Sequence, residues 1–487
     1  MSEELNKKSG KALAWSTITE VMAKLITPIV NMVLARLLAP EAFGAVATIT
    51  MVITFAEIFT DAGFQKYIIQ HEFNTDEEFD KSTNVAFITN FTVSALFVAV
   101  IVLFRNQIAS LVGSPGLGDA IAVASFVIIL VAFSSIQMAR FKRALDFKTL
   151  FFVRIGSTII PLVITVPLAF ILRSFWALVI GNLAVNLFNA IVLTIKSSWK
   201  PKFFYKFSIF KEMFSFTAWT MLESVLIWLT ANIDIFIVGS VLSDYYLGIY
   251  KTSMTTISSY MGIITAAIIP VLFSTLSRYQ NDEVNFRETF WKFQRYLALI
   301  VIPMSIGIVV FRDLVTEILL GEQWKEASGF IGLWGLTSGF IIVFSNISSE
   351  VFRAKGNPKL SMLIQVLHMI CLVPVVLITV NTSFEILYTC RSLVRLQIII
   401  VAMLLLRFVY KFSISKMLIN IIPSAISAIV MGVIGYFLSN INSAIWWQLL
   451  SVGICIVAYF TVLLALFPKT RKEIWDIVST RKYKNNS

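Results

Sequence analysis

The sequence predicts an all-α, polytopic membrane protein of about 14 transmembrane helices, built from two parallel six-helix repeats and two further C-terminal helices. Three observations support this fold class. Hydrophobic residues make up 57% of the 487 residues and charged residues only 14%, whereas soluble proteins are about a quarter charged. Apolar runs long enough to cross a ~30 Å hydrocarbon core recur along the whole chain. Finally, two segments lying 204 residues apart align without a gap.

The apolar runs define the predicted elements in order. We count 14, with 12 or 13 as the alternative if a weak run lies at the membrane interface. The first run is too long for a signal-peptide core and lacks a convincing cleavage site, so we expect it to remain in the mature protein. The runs are Ala12–Leu34, Phe43–Ile69, Val85–Phe104, Ala120–Met138, Leu150–Leu172, Phe175–Ile195, Phe214–Val241, Tyr246–Leu276, Phe293–Phe311, Phe330–Ser349, Leu360–Val380, Phe384–Leu406, Leu418–Leu438 and Ala444–Phe467.

The repeat is visible as LAWSTITEV around Trp15 and TAWTMLESV around Trp219, and the same register later aligns Gly44 with Gly248. Chance likeness between two apolar helices is the alternative explanation. A repeat of six helices, an even number, starts both copies on the same side of the membrane and so predicts parallel repeats. We expect a first lobe at residues 1–210, a second at 211–410, and two additional helices with a basic tail at 411–487.

The positive charges predict the topology. If the N-terminus is cytoplasmic, 28 of the 40 Lys and Arg residues lie in inner loops and tails, and 5 lie in outer loops. This asymmetry is the one expected for an even number of spans with both termini in the cytoplasm. Because each basic loop borders a span, we interpret the net charge of +12 as a topology signal and expect no nucleic-acid partner.

Motifs of soluble enzymes are missing from the sequence. It contains no glycine-rich phosphate loop, no HExxH and no CxxC, and its only histidines are His71 and His368. Its three cysteines all fall within predicted spans and imply no disulfide framework. The sequence therefore predicts no catalytic residue, cofactor or metal site.

Charged residues inside the bilayer are costly, and each is a candidate for function or for helix pairing. Glu20 and Lys24 lie one turn apart on the first helix and are able to pair. Glu57 and Asp61 lie one turn apart on the second helix, but like charges do not neutralise each other. Two crowded carboxylates suit reversible binding of a proton or cation, so both are candidates for ion coupling.

The second half of the chain adds further intramembrane charges. Glu223 and Asp234 are 11 residues apart on the seventh helix and should share a face, and Lys251 lies level with Asp234 and is able to pair with it. Arg391 and Arg395 share a face of the twelfth helix. A diphosphate would suit these two arginines. Lys24, Lys251, Arg391 and Arg395 are thus candidates for diphosphate binding, and Glu223 and Asp234 for ion coupling; structural helix pairing is the alternative for each.

Six segments carry a resemblance to a known family. In their order and spacing, the chain resembles the polysaccharide flippases of the multidrug/oligosaccharidyl-lipid/polysaccharide exporter superfamily, closest to the colanic-acid and teichuronic-acid type. The segments are VLARLLAPEAFGAVA (Val33–Ala47), FTDAGFQKYIIQ (Phe59–Gln70), QMARFKRALDF (Gln137–Phe147), FTAWTMLESV (Phe216–Val225), LGEQW (Leu320–Trp324) and RAKGNPK (Arg353–Lys359).

The resemblance implies two six-helix lobes that open alternately to either membrane face around a cationic cavity. It implies a bacterial inner-membrane protein that moves an undecaprenyl-diphosphate-linked oligosaccharide to the outer leaflet, coupled to an ion gradient, with the last two helices forming a groove for the lipid tail. A polysaccharide polymerase and a chain-length regulator are the expected protein partners of a monomeric flippase. The alternatives are a multidrug or cation antiporter of the same superfamily, and a membrane polysaccharide polymerase or ligase.

Overall fold

The computed structural model describes the backbone of residues 2–61 and 63–472, and the side chains of residues 15, 18–20, 22–60, 63–214, 217 and 221–472. In this part of the chain all regular secondary structure is helical. Fourteen helical segments are long and apolar enough to cross a membrane. These observations confirm the all-α, polytopic fold class.

The chain divides by its internal contacts into two compact units, Met1–Thr252 (unit 1) and Ser253–Ser487 (unit 2). The division falls inside helix α11, whereas the repeat boundary was expected near Lys211, so the lobe boundaries stay a prediction. The helices up to this point are α1 (Ser2–Leu37), α2 (Pro40–Asp61), α3 (Phe64–Gln70), α4 (Asp76–Leu103), α5 (Arg105–Leu111), α6 (Gly118–Arg143), α7 (Phe147–Ile160), α8 (Val166–Leu172), α9 (Trp176–Lys196), α10 (Phe207–Val241) and α11 (Asp244–Arg278).

The remaining helices belong to unit 2. Within the described residues, two spans contain a π-helical turn, at residues 161–165 between α7 and α8 and at residues 342–346 between α14 and α15. The helices are α12 (Glu283–Val310), α13 (Arg312–Leu319), α14 (Ser328–Ile341), α15 (Ile347–Ala354), α16 (Lys359–Thr379), α17 (Phe384–Val394), α18 (Leu396–Tyr410), α19 (Ile414–Ser439) and α20 (Ile445–Leu466).

Unit 1 is built around α6, which packs against α2, α3, α4 and α9. One core cluster joins α3, α4 and α6 through the buried side chains of Ile68, Val85 and Ile136. A second cluster joins the end of α1 to α8 and α9 through Leu38, Ala169 and Ala177. Within the bilayer, close van der Waals packing of such side chains holds the helices together.

Unit 2 is built around α12, which packs against α14 on one side and α19 on another. Small residues allow the last two helices to approach closely. A Cβ added to Gly435 would lie 3.0 Å from the Cys455 sulfur, and one added to Gly432 would lie 2.7 Å from Ile306. The two C-terminal helices are therefore packed tightly onto the unit.

The two units repeat one local arrangement. Thr75 is the N-cap of α4, and its side chain accepts a hydrogen bond from the Glu78 amide. Asp282 is the N-cap of α12 in the same way, and its side chain accepts a hydrogen bond from the Asn285 amide. In unit 1 the Arg140 guanidinium lies 4.3 Å from the centre of the Phe79 ring. In unit 2 the Lys355 ammonium lies 4.4 Å from the centre of the Phe286 ring. In each unit a cation thus covers an aromatic ring in the first turn of a neighbouring span.

Candidate functional site

Arg391 near the end of α17 and Arg395 in the turn that joins α17 to α18 lie on the same side of this span, as their spacing predicts, and both contact Trp334 of α14. The guanidinium carbon of Arg391 lies 5.0 Å from the centre of the indole ring, and that of Arg395 lies 3.5 Å from it. Arg391 is only 6% exposed. The Arg395 Nη1 also donates hydrogen bonds to the hydroxyls of Thr337 (3.3 Å) and Ser338 (3.1 Å). Both side chains therefore make these contacts within unit 2.

The sequence of α14 explains why two arginines fit there. Trp334 supplies the flat ring face that attracts a guanidinium, worth about 0.5–2 kcal/mol per cation–π contact. Ser338, one turn further along α14, offers a hydroxyl to Arg395, while Gly335 allows close packing on α12, where an added Cβ would lie 2.7 Å from Ile308. The Phe330 and Tyr388 rings stack at 5.4 Å and extend the aromatic layer by one turn. The result is two positive charges concentrated on one indole ring inside the unit.

Asp234 is the most buried of the candidate carboxylates with a described side chain, at 1% exposed. It accepts a hydrogen bond of 2.9 Å from the Tyr250 hydroxyl, and Lys251 interacts with it electrostatically, as expected. Glu223, in contrast, is exposed and lies 3.6 Å from Lys66. The spacing of Glu223 and Asp234 was interpreted as a shared face, but the structure places the two carboxylates in different surroundings with different partners.

The carboxylates and lysine of the first two helices are also separated. Glu20 is exposed and Lys24 half-buried, and no ion pair joins them within the described side chains, so the expected pairing is not formed. Glu57 lines a cavity of about 320 Å³ between α2, α6 and α9. The side chain of Asp61 lies outside the described residues, so its proximity to Glu57 stays a prediction.

An apolar cavity of about 390 Å³ lies between α12, α19 and α20. Met304, Gly307 and Val452 are among its lining residues, together with Tyr459. The hydroxyl of Tyr459 donates to the Leu299 carbonyl at 2.9 Å, so even this polar group is satisfied within the protein. The surface that remains suits a hydrocarbon chain.

Sequence reasoning missed several of these residues. Trp334 carried no signal of its own, because the chain holds 65 aromatic side chains of Phe, Trp and Tyr. Asn182 and Asn186 line the cavity beside Glu57. The sequence could have indicated both, because two side-chain amides one turn apart in an apolar span are unusual.

Comparison with known proteins shows which family the chain belongs to. Residues 33–329 match the family described as polysaccharide biosynthesis protein. The chain belongs to this family. The match covers more than half of the sequence and includes both helices of the Asp234 site.

Two curated relatives and one solved structure extend this result. The chain is 21% identical over 485 residues to a teichuronic acid biosynthesis protein of Bacillus subtilis (strain 168), covering 96% of this chain and 98% of the relative. It is 24% identical over 377 residues to an uncharacterized membrane protein in the cps region of Klebsiella pneumoniae, covering 76% of each. Its fold is similar to that of the lipid II flippase MurJ in an inward closed conformation, with a TM-score of 0.74 and 14% identity over 94% of this chain and 99% of that one. The resemblance seen in the sequence is thus confirmed in family and in fold, and the chain is a multi-pass membrane protein.

Proposed function

We propose that this protein is a flippase, not an enzyme, that moves an undecaprenyl-diphosphate-linked oligosaccharide from the cytoplasmic to the outer leaflet of the bacterial inner membrane. The substrate would be a repeat unit for surface polysaccharide such as O-antigen, capsule or exopolysaccharide. The observation that carries the proposal is the pair Arg391 and Arg395, brought together on Trp334 in a chain of the polysaccharide biosynthesis family. Guanidinium groups bind phosphate oxygens with bidentate geometry, and a diphosphate offers several such oxygens.

The apolar cavity of unit 2 supports the same proposal, because it suits the lipid end of the substrate. A polyprenyl chain is a hydrocarbon, and the cavity between α12, α19 and α20 offers it a lining in which the Tyr459 hydroxyl is already satisfied. Cationic groups and an apolar cavity within one compact unit match the two ends of a lipid diphosphate. A hydrophilic drug or an inorganic cation would not bind in such an apolar cavity.

Transport would follow alternating access and would be coupled to an ion gradient. Glu57, Asp61, Glu223 and Asp234 are the proposed coupling carboxylates, and Lys24 and Lys251 the proposed supplementary contacts for the diphosphate. Among the acidic residues Asp234 is favoured, because its burial beside Tyr250 and Lys251 links its charge to the packing of α10 on α11.

The proposal includes location and partners. Both termini would lie in the cytoplasm, and the monomeric protein would work beside a polysaccharide polymerase and a chain-length regulator. Membrane lipids would surround it, and no nucleic acid would bind.

Substitution of the two arginines tests the proposal. The double variant Arg391→Gln and Arg395→Gln should abolish export of surface polysaccharide at normal protein levels, and lipid-linked repeat units should accumulate on the cytoplasmic leaflet. Arg407→Gln is the matched control, because it removes the same charge from an exposed position on the same span. Normal export by the double variant, or loss of drug resistance as the only phenotype of a deletion strain, would contradict the proposal.

A further inference from the structure

We propose that the cavity of unit 1 between α2, α6 and α9 is a sugar-binding subsite, which recognises the glycan of the lipid-linked substrate. This inference rests on the proposed function and adds the part of the substrate that distinguishes one repeat unit from another. Its polar contacts would come from Thr50, Thr54 and Glu57 of α2 and from Asn182 and Asn186 of α9, all of which line the cavity.

The cavity has the size and mixed lining of a small-molecule site. Its volume of about 320 Å³ falls in the range of ~300–1,000 Å³ that is typical of ligand pockets. Its apolar walls include Ile53, Val127 and Leu178, which suit the C–H faces of a pyranose ring. The remaining groups are hydroxyls, amides and one carboxylate, which suit the hydroxyls around the edge of that ring.

The hydrogen bonds within α9 orient its two amides. The Asn186 Nδ2 donates to the Asn182 carbonyl at 2.9 Å and to the Asn182 Oδ1 at 3.1 Å. These bonds use the Nδ2 group of Asn186 and both the backbone and side-chain oxygens of Asn182. The Asn182 Nδ2 and the Asn186 Oδ1 make no hydrogen bond to the protein within the part of the chain that the structure describes. They offer a donor and an acceptor one turn apart, which matches neighbouring hydroxyls of a sugar.

The hydroxyls of α2 are held in a similar way. Thr54 Oγ1 donates to the Thr50 carbonyl at 2.8 Å and accepts from the Trp228 Nε1 at 3.1 Å. Thr50 itself is exposed in the middle of an apolar span, and so is Asn182. Exposure of such groups to hydrocarbon would be unfavourable, so their surroundings must be polar.

The spread of the polar groups favours a sugar over a metal ion. Thr50 and Glu57 are separated by roughly 10 Å along α2 at 1.5 Å per residue. A bound cation such as calcium needs six to eight oxygens at about 2.3–2.6 Å from one point. Within the described side chains, no group of three His, Cys, Asp or Glu residues could hold a metal ion. A ring with several hydroxyls is able to reach groups that are dispersed in this way.

A binding comparison tests the subsite. The probes are undecaprenyl diphosphate and the lipid-linked oligosaccharide that accumulates in a deletion strain, each titrated against purified protein. We expect the wild type to bind the oligosaccharide lipid at least tenfold more tightly. The double variant Asn182→Ala and Asn186→Ala should lose this preference, as should Thr50→Val in part, while both bind undecaprenyl diphosphate as well as the wild type does.

Leu187→Ala is the matched control, because Leu187 is exposed on the same helix and does not line the cavity. Unchanged affinity for undecaprenyl diphosphate shows in the same titration that the variants are folded. A preference that persists in the double variant, or an equal loss for both lipids, would overturn the subsite. So would a variant that changes only the sodium or proton dependence of transport. Failure of the proposed function is a separate result, in which the wild type binds neither lipid.

Discussion

Gly44 and Gly248 make reciprocal contacts: each packs against the residue that begins the other's helix. A Cβ built on Gly44 would lie 1.8 Å from the carbonyl oxygen of Asp244, and one built on Gly248 would lie 1.9 Å from the carbonyl oxygen of Pro40. The offset of 204 residues that relates the repeats maps Pro40 onto Asp244 and Gly44 onto Gly248. The starts of α2 and α11 therefore cross with approximate twofold symmetry, and the repeated glycines explain how they approach so closely.

Replacement of either glycine should disrupt this crossing. Gly44→Ala and Gly248→Ala each place a methyl group on a backbone carbonyl, which is unable to move aside, and should destabilise the protein by about 1–3 kcal/mol. Thermal unfolding of the purified protein measures the effect. Gly262→Ala, also on α11, is the control, because a Cβ there meets nothing within 4 Å. Equal unfolding temperatures for all three variants would show that the close crossing does not contribute to stability.

The sequence predicted the spans and the shared face of Arg391 and Arg395, and it did not predict how deeply each charged side chain is buried. Spans follow from apolar length, and the shared face of Arg391 and Arg395 follows from their spacing of one turn. The 11-residue spacing of Glu223 and Asp234 likewise gave a common side. It did not show that Glu223 is exposed and meets Lys66, whereas Asp234 is buried and bonded to Tyr250. Contacts between distant segments, such as Trp334 with two arginines, depend on tertiary packing and left no local pattern.

The apolar cavity of unit 2 can be filled without disturbing its walls. A side chain added to Gly307 meets nothing within 4 Å, and Gly307 lines the cavity. Gly307→Leu should therefore fold normally and reduce transport of the lipid-linked precursor at least tenfold, measured as flipping in proteoliposomes. Gly453→Leu is the control, since Gly453 of α20 also has open space around it but does not line the cavity. Full transport by Gly307→Leu would place the lipid tail elsewhere.

Trp334 should stabilise unit 2 through its ring face. Trp334→Leu removes both cation–π contacts, each worth about 0.5–2 kcal/mol, while Trp334→Phe keeps a smaller ring. We expect unfolding temperatures in the order wild type, Trp334→Phe, Trp334→Leu. Trp446→Leu serves as the control, because that side chain is exposed on α20. A Trp334→Phe variant no more stable than Trp334→Leu would show that the aromatic face does not hold the arginines.

The Arg143 side chain caps the C-terminal end of α3 through hydrogen bonds that depend on its planar guanidinium and not on its positive charge alone. Its Nη1 donates to the carbonyls of Ile68 (3.0 Å), Ile69 (3.2 Å) and His71 (2.6 Å). Arg143→Lys keeps the charge that orients the chain but loses the planar donor, and should lower the free energy of unfolding by about 1–3 kcal/mol. Denaturant titration measures the loss, and Arg278→Lys, at an exposed position, should leave stability unchanged. An identical midpoint for Arg143→Lys would show that an ammonium caps α3 equally well.

The π-helical turn at residues 342–346 sets the phase of the tenth span. Before it stands Trp334, and after it stands Glu350, which is buried and forms an ion pair with Arg353. The turn holds one residue more than an α-helix would, so removing a single residue there would rotate everything beyond it by roughly 100° relative to Trp334. Glu350 would then swing off its buried face, although no side chain had been changed. One additional residue in the π-helical turn therefore determines which faces of the two halves of this span lie in line.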